Sequence, residues 1–179
     1  MQIDPTAANF KPVIEVSIQD QCLRLQLKGE VRIYPVSTAK LGIGEQKGSN
    51  KTPLGWHVAR AKIGAEADIN SVFVGRRLTG EIYSPQLAKQ FPHRDWILSR
   101  IIWLSGCEVG HNRFGNVDSM QRYIYIHGTP DSEPMGVPES HGCIRMRNAD
   151  VIELFDLIPV GTSIWLQEST FARIPCRSV

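Results

Sequence analysis

The segment from Leu23 to Tyr34 restricts the fold more than any other part of the chain. Leu23-Arg24-Leu25-Gln26-Leu27-Lys28 alternates apolar and polar residues, Lys28-Gly29-Glu30 makes a turn, and Val31-Arg32-Ile33-Tyr34 resumes a β-prone run. Alternation of period two puts one set of side chains on a single face of a strand. Val13 to Ile18 alternates as well, so the chain opens as a β-meander. Trp56 to Ile63, Ser71 to Val74, Ile101 to Leu104, Tyr123 to Ile126 and Ser163 to Leu166 supply further short strands. Leu41 to Thr52, rich in glycine and polar residues, reads as an exposed loop, and Gly80 to Arg100 mainly as a loop with one helical turn. One helix is well marked: Asn148 caps it, Asp150 sits in its first turn, Val151, Leu154, Phe155 and Ile158 follow helical spacing, and Pro159 stops it. A mainly β domain is therefore expected.

At 179 residues, with 42% hydrophobic and 21% charged residues, the chain suits one domain with a sizeable core. A net charge of +2 without a basic run or an aromatic-interleaved basic patch excludes a nucleic-acid partner. Residues Met1 to Lys11 lack the basic start and apolar stretch of a secretory signal, and no segment approaches the length of a membrane span. A cytoplasmic location is expected if the sequence is full length, and a periplasmic one if an export signal has been removed. Three of the four cysteines, Cys22, Cys107 and Cys176, are expected to be inert or buried thiols in a reducing compartment.

Chemistry concentrates in His127-Gly128 and in Ser140-His141-Gly142-Cys143-Ile144-Arg145-Met146. A free cysteine has a pKa of about 8.5, so an imidazole must help to form the thiolate. His127 follows the strand-like run Tyr123-Ile124-Tyr125-Ile126, which would deliver its ring on a rigid element. The carbonyl of Gly128 is placed to accept a hydrogen bond from the second ring nitrogen of His127, the orienting role of an aspartate in a catalytic triad. Gly142 lets the amides of residues 141 to 143 converge as oxyanion donors. Arg145, with its planar fork, suits a carboxylate; Ser140 and Tyr125 are further candidates on the substrate side, and His141 for the oxyanion site or the substrate.

These residues resemble the signature of the YkuD-type L,D-transpeptidase catalytic domain: His-Gly, then Ser/Thr-His-Gly-Cys, an apolar residue, and Asn or Arg. Tyr34-Pro35-Val36-Ser37-Thr38 and Lys51-Thr52-Pro53-Leu54-Gly55 are similar to that family's upstream strand and Thr-Pro-x-Gly loop, so the resemblance covers roughly residues 12 to 167. Residues 1–11 are then an N-terminal arm and 168–179 a C-terminal tail. The resemblance implies a β-sandwich of mixed sheets with one helix after the cysteine, and no cofactor. It implies a Cys143 thioester formed on a peptidoglycan stem tetrapeptide or muropeptide with release of D-alanine. It also implies acylation by carbapenem-type β-lactams. Water as acceptor makes an L,D-carboxypeptidase, the reading preferred for a cytoplasmic protein; an amine makes a 3-3 cross-linking transpeptidase.

Two other classes of function fit subsets of these residues. Cys107, His111, His127, His141 and Cys143 are all potential metal ligands, although His141-Gly142-Cys143 lacks the spacer of ordinary zinc knuckles. A non-catalytic peptidoglycan-binding module would keep the fold without turnover. The remaining histidines, His57, His93 and His111, are expected in loops or at the surface.

Overall fold

In a computed structural model, described over residues 10–171, the chain is mainly β. Strands β1 (Val13–Ser17), β2 (Cys22–Leu27) and β3 (Glu30–Pro35) form the meander, with Leu23 and Leu25 fully buried and Arg24 on the outer face against Glu15. β4 (Gly55–Ile63), β5 (Ser71–Val74) and β6 (Arg77–Ile82) follow, then a short helix α1 (Pro85–Gln90), capped by the Ser84 hydroxyl, which accepts from the Leu87 amide. The long β7 (Ile97–Gly106), β8 (Tyr125–Thr129), β9 (Ile144–Arg147), helix α2 (Asn148–Leu157) and β10 (Ser163–Gln167) complete the order.

All ten strands join one mixed sheet, ordered β3-β2-β1-β10-β4-β7-β5-β6, with β8 on β7 and β9 on β8. The sheet curls around its own core rather than dividing into two hydrogen-bonded sheets. Among the strands of the described residues, only β1 with β10 and β8 with β9 run parallel. Helix α2 covers β7 and β8 and buries Val151, Leu154 and Phe155, the helical stripe read from sequence. These join Leu23, Leu25, Ile102, Leu104, Ile126, Ile144 and Met146 in the main core.

Three boundaries differ from expectation. The strand expected over Tyr123–Ile126 begins at Tyr125 and runs through His127 and Gly128. Tyr123 has φ of 58° and its amide bonds to the Met120 carbonyl, so residues 119 to 124 close a turn before pairing starts. Asn148 does not cap α2: Arg147 occupies that position, and the Asn148 side chain turns inward to Ser99, Asn70 and Thr129. Within Gly80–Arg100, β6 and the start of β7 flank the expected helical turn.

Cys22 is disulfide-bonded, whereas Cys107 and Cys143 are free thiols, which corrects the expectation of an inert Cys22 thiol. Cys176 lies outside the described residues, as do most of the arm and tail. The first tail residues are packed: Phe171 is buried beneath the Arg24 guanidinium, and its amide donates to Asp20. Among the described residues no helix is long and apolar enough to cross a membrane.

Candidate active site

Parallel pairing of β8 with β9 builds the site. His127 lies opposite Arg145 in register, strand alternation puts Tyr125 with His127 on one face of β8, and Cys143 directly precedes β9. β8 is buried throughout, because β7 pairs on one side, β9 on the other, and α2 packs across it.

Two glycines permit this packing for different reasons. A Cβ on Gly128 would lie 2.5 Å from Asn148 Oδ1 and 2.6 Å from the Leu98 carbonyl oxygen, so only glycine lets β8 approach that closely. Gly142 has φ of 131°, a region strained for side-chain-bearing residues, and its carbonyl accepts from the Thr52 hydroxyl at 3.0 Å. Thr52 thus ties the Thr-Pro-x-Gly loop to the turn before Cys143. Arg122 ties it further by donating to the Lys51 carbonyl at 2.6 Å and to that of Gly44.

The half-buried Cys143 thiol donates to the Tyr123 carbonyl and accepts from the Tyr125 amide, each at 3.4 Å. Burial pushes its pKa up to about 12, with Asp95 adding to the rise and the Tyr125 amide, Arg145 and Arg122 opposing it. The resting form is a thiol, with no hydrogen bond to the His127 ring. His127 Nδ1 lies 2.7 Å from the Gly128 carbonyl oxygen. A carbonyl only accepts, so Nδ1 carries the proton and Nε2 keeps its lone pair. Burial lowers the His127 pKa, although Asp95 and the Gly128 bond pull the other way, so the ring is a neutral base at neutral pH.

The turn before Cys143 uses its own polar groups. Ser140, itself buried, donates from Oγ to the Cys143 carbonyl at 2.6 Å and accepts from the Gly142 amide at 3.2 Å. The Gly142 amide is therefore engaged, and the Cys143 amide is the one in this turn that combines proximity to Sγ with no acceptor among the described residues. Tyr125 is buried, and its hydroxyl accepts from Arg76 at 3.0 Å.

Asp95, in the loop after α1, organises the other side of the site and was not singled out in the sequence. It pairs with Arg145 at 2.7 Å and with His141 Nδ1 at 3.1 Å. Burial works against its charge, but His127, Arg145 and His141 outweigh it and hold its pKa low. Glu133 adds a second, looser pairing to Arg145 at 3.8 Å. Nothing local distinguishes Asp95 from a solvated loop carboxylate; only the folded loop brings it to Arg145.

A cleft of about 460 Å³ opens over Cys143, lined also by Arg76, Arg122, Tyr123, His141 and Asp95. A second hollow of about 270 Å³, with Glu133 and Glu139 in its wall, adjoins it across Asp95, His141 and Arg145. A larger cavity of about 820 Å³ lies elsewhere, between Leu54, Glu108 and Trp165, away from the thiol. Of the other ligands considered for a metal, Cys107 and His111 are exposed, and among the described residues no three His, Cys, Asp or Glu side chains gather as a metal site. His57 is neither in a loop nor at the surface: it is buried in β4 between the Gly55 carbonyl and the Ser119 hydroxyl.

Residues 11–166 match the family model of the YkuD L,D-transpeptidase catalytic domain. The chain belongs to that family. It is similar to the putative L,D-transpeptidase YqjB of Bacillus subtilis, 49% identical over 47 residues that cover 26% of this chain and 27% of that protein. To the putative L,D-transpeptidase YkuD of Bacillus subtilis it is 51% identical over 44 residues, 25% of this chain and 27% of the relative. These matches span about a quarter of either relative. In fold it is similar to L,D-transpeptidase 3 from Mycobacterium tuberculosis, solved in complex with a faropenem-derived adduct, with a TM-score of 0.54 and 17% identity over 88% of this chain and 60% of the other. A YkuD domain of this kind accounts for a mainly β chain with Cys143 just ahead of the parallel strand β9.

Proposed function

We propose that this YkuD domain is a cysteine acyltransferase acting on peptidoglycan stem tetrapeptides, and that water is its principal acceptor, making it an L,D-carboxypeptidase. The observation that carries the first half is the strand pair itself: β8 holds a neutral, backbone-oriented imidazole at His127, its register partner is Arg145, and Cys143 directly precedes β9 with its thiol on the Tyr125 amide. His127 Nε2 takes the thiol proton as Sγ attacks the carbonyl before terminal D-alanine, the Cys143 amide stabilises the oxyanion, and His127 returns the proton to the departing amine. No thiolate needs to exist beforehand, which suits a thiol whose pKa is raised to about 12.

The His141–Asp95 pair can serve this second step. His141 is exposed in the cleft with Nδ1 on a carboxylate, leaving Nε2 available to deprotonate a water at the thioester. On this reading the enzyme trims soluble muropeptides in the cytoplasm. A second reading, cross-linking in an oxidising envelope compartment, is favoured by the Cys22 disulfide and by the carboxylate-walled second hollow, where an acceptor amine would fit. The faropenem-derived adduct on the mycobacterial relative supports β-lactams, carbapenems among them, as acylating inhibitors of Cys143. Incubation with a disaccharide tetrapeptide, followed by mass spectrometry, tests both readings. Tripeptide is expected; predominant dimer transfers the conclusion to the second reading, and unchanged substrate with wild-type protein defeats both.

A further inference from the structure

We propose that Arg76 anchors the free terminal carboxylate of the acyl donor, a specificity role that rests on the acyl-transfer reading above. Three guanidinium groups line the cleft over Cys143, and two are committed. Arg145 is paired with Asp95 at 2.7 Å, and Arg122 spends its donors on the carbonyls of Gly44 and Lys51 and on the Ser49 hydroxyl. Arg76 makes no ion pair among the described residues; its side chain bonds only to phenol groups, from Nη1 to the Tyr125 hydroxyl at 3.0 Å and to Tyr123. Its other N–H groups remain for a ligand, and a guanidinium presents them as a fork matched to a carboxylate.

The group is held in place rather than waving in solvent. Its Cζ sits 4.4 Å from the Trp103 ring centroid and 4.8 Å from that of Tyr123, so two aromatic faces fix its plane. Its backbone has φ of 67°, next to Gly75 with φ of 53°, which makes Gly75-Arg76 a two-residue hairpin turn between β5 and β6. Asparagine or glycine suits such a turn, and arginine there carries strain. Tyr125 joins this turn to the nucleophile, since its amide donates to Cys143 Sγ while its hydroxyl receives Arg76. A donor whose scissile carbonyl lies at Sγ would direct the carboxylate of its last residue along that ring toward Arg76, so a chain continuing past that residue would lose the pairing.

The test compares a disaccharide tetrapeptide ending in a free carboxylate with the same compound ending in a carboxamide, using wild type, Arg76→Met, Arg76→Lys and Arg76→Gln. Wild type is expected to favour the acid. Arg76→Met and Arg76→Gln should lower kcat/KM for the acid by roughly 30-fold or more, mainly through KM, as expected for loss of a charge-assisted pair. Turnover of the carboxamide should stay within about threefold, and Arg76→Lys should recover part of the preference. The carboxamide rate also reports whether each variant keeps an intact site. If acid and carboxamide fall together, or the acid preference survives in folded Arg76→Gln, the anchor is wrong while the acyl-transfer reading stands. Wild type inert toward both compounds would overturn the reading and the anchor together.

Discussion

The β8–β9 pair and the β5–β6 hairpin border one cleft but are built oppositely. Every residue of β8 is buried and β9 exposes only Arg147, whereas every residue of β6 except the partly buried Glu81 is exposed. The first region holds the thiol and base with backbone pairing and glycine-tight contacts, so a change there has nowhere to relax. The second presents Arg76 at a turn leading into β6, where Leu78 and Ile82 are half-exposed, so substitutions on β6, unlike those of buried Val72 and Phe73 in β5, cost little stability and can retune what the cleft accepts. Chemistry on the buried pair and recognition on the exposed hairpin is the division this contrast teaches.

That division breaks first at the reacting groups. Cys143→Ala should abolish acylation by a carbapenem, read as loss of the mass increase, and lower turnover by at least roughly 10⁴-fold. His127→Gln should fold but slow acylation by about 10²- to 10⁴-fold; ordinary turnover in either variant removes these residues from the mechanism. Next comes packing. Gly128→Ala must push Asn148 or the Leu98 carbonyl aside, and a loss of about 1–3 kcal/mol is expected in chemical denaturation, with activity reduced as β8 shifts.

Acidity probes a buried group outside that pair, on β4. Burial lowers the His57 pKa to about 4, so the unfolded chain binds the proton more readily. His57 therefore destabilises the fold progressively as pH falls from about 6.5 toward 4, by on the order of 2–3 kcal/mol at the lower end, and costs nothing above pH 7. Denaturation at pH 7.5 and pH 4.5 should show His57→Gln losing less stability between the two than wild type; equal losses would sink the assignment. A smaller effect concerns the base. Because burial holds the His127 pKa below the ordinary imidazole value, the acid limb of kcat/KM should lie below pH 6.5. Asp95→Asn removes a carboxylate that raises that pKa, so it should move the limb lower still. Smallest of all, Leu78→Thr on the hairpin should change stability by no more than about 0.5 kcal/mol. A clearly larger loss would mean the hairpin is not the tolerant region described.

Much of the fold was legible because local pattern and burial agree. Leu23 and Leu25 face the core as alternation requires, and Val151, Leu154 and Phe155 form the helical stripe. Legibility failed where long-range partners overrule local preference. Asn148 has the chemistry of a cap, yet Ser99, Asn70 and Thr129 claim its side chain. Four residues, Ile144 to Arg147, are too few to show a period, and they become a strand because β8 is beside them.

The candidate site divides in the same way. Local sequence is sufficient for a reactive thiol near an imidazole, for a glycine after the base whose carbonyl can orient it, and for a glycine before the nucleophile that turns the chain, because each depends on neighbours one or two residues away. Only the tertiary structure decides which charges are free. Arg145 reads as the carboxylate ligand, but a loop fifty positions earlier brings Asp95 to it, while Arg76, unremarkable in sequence, lies over the neighbouring rings of Trp103 and Tyr123 without an acidic partner among the described residues. Ion pairing acts through space over a few ångströms, and chain separation carries no record of it.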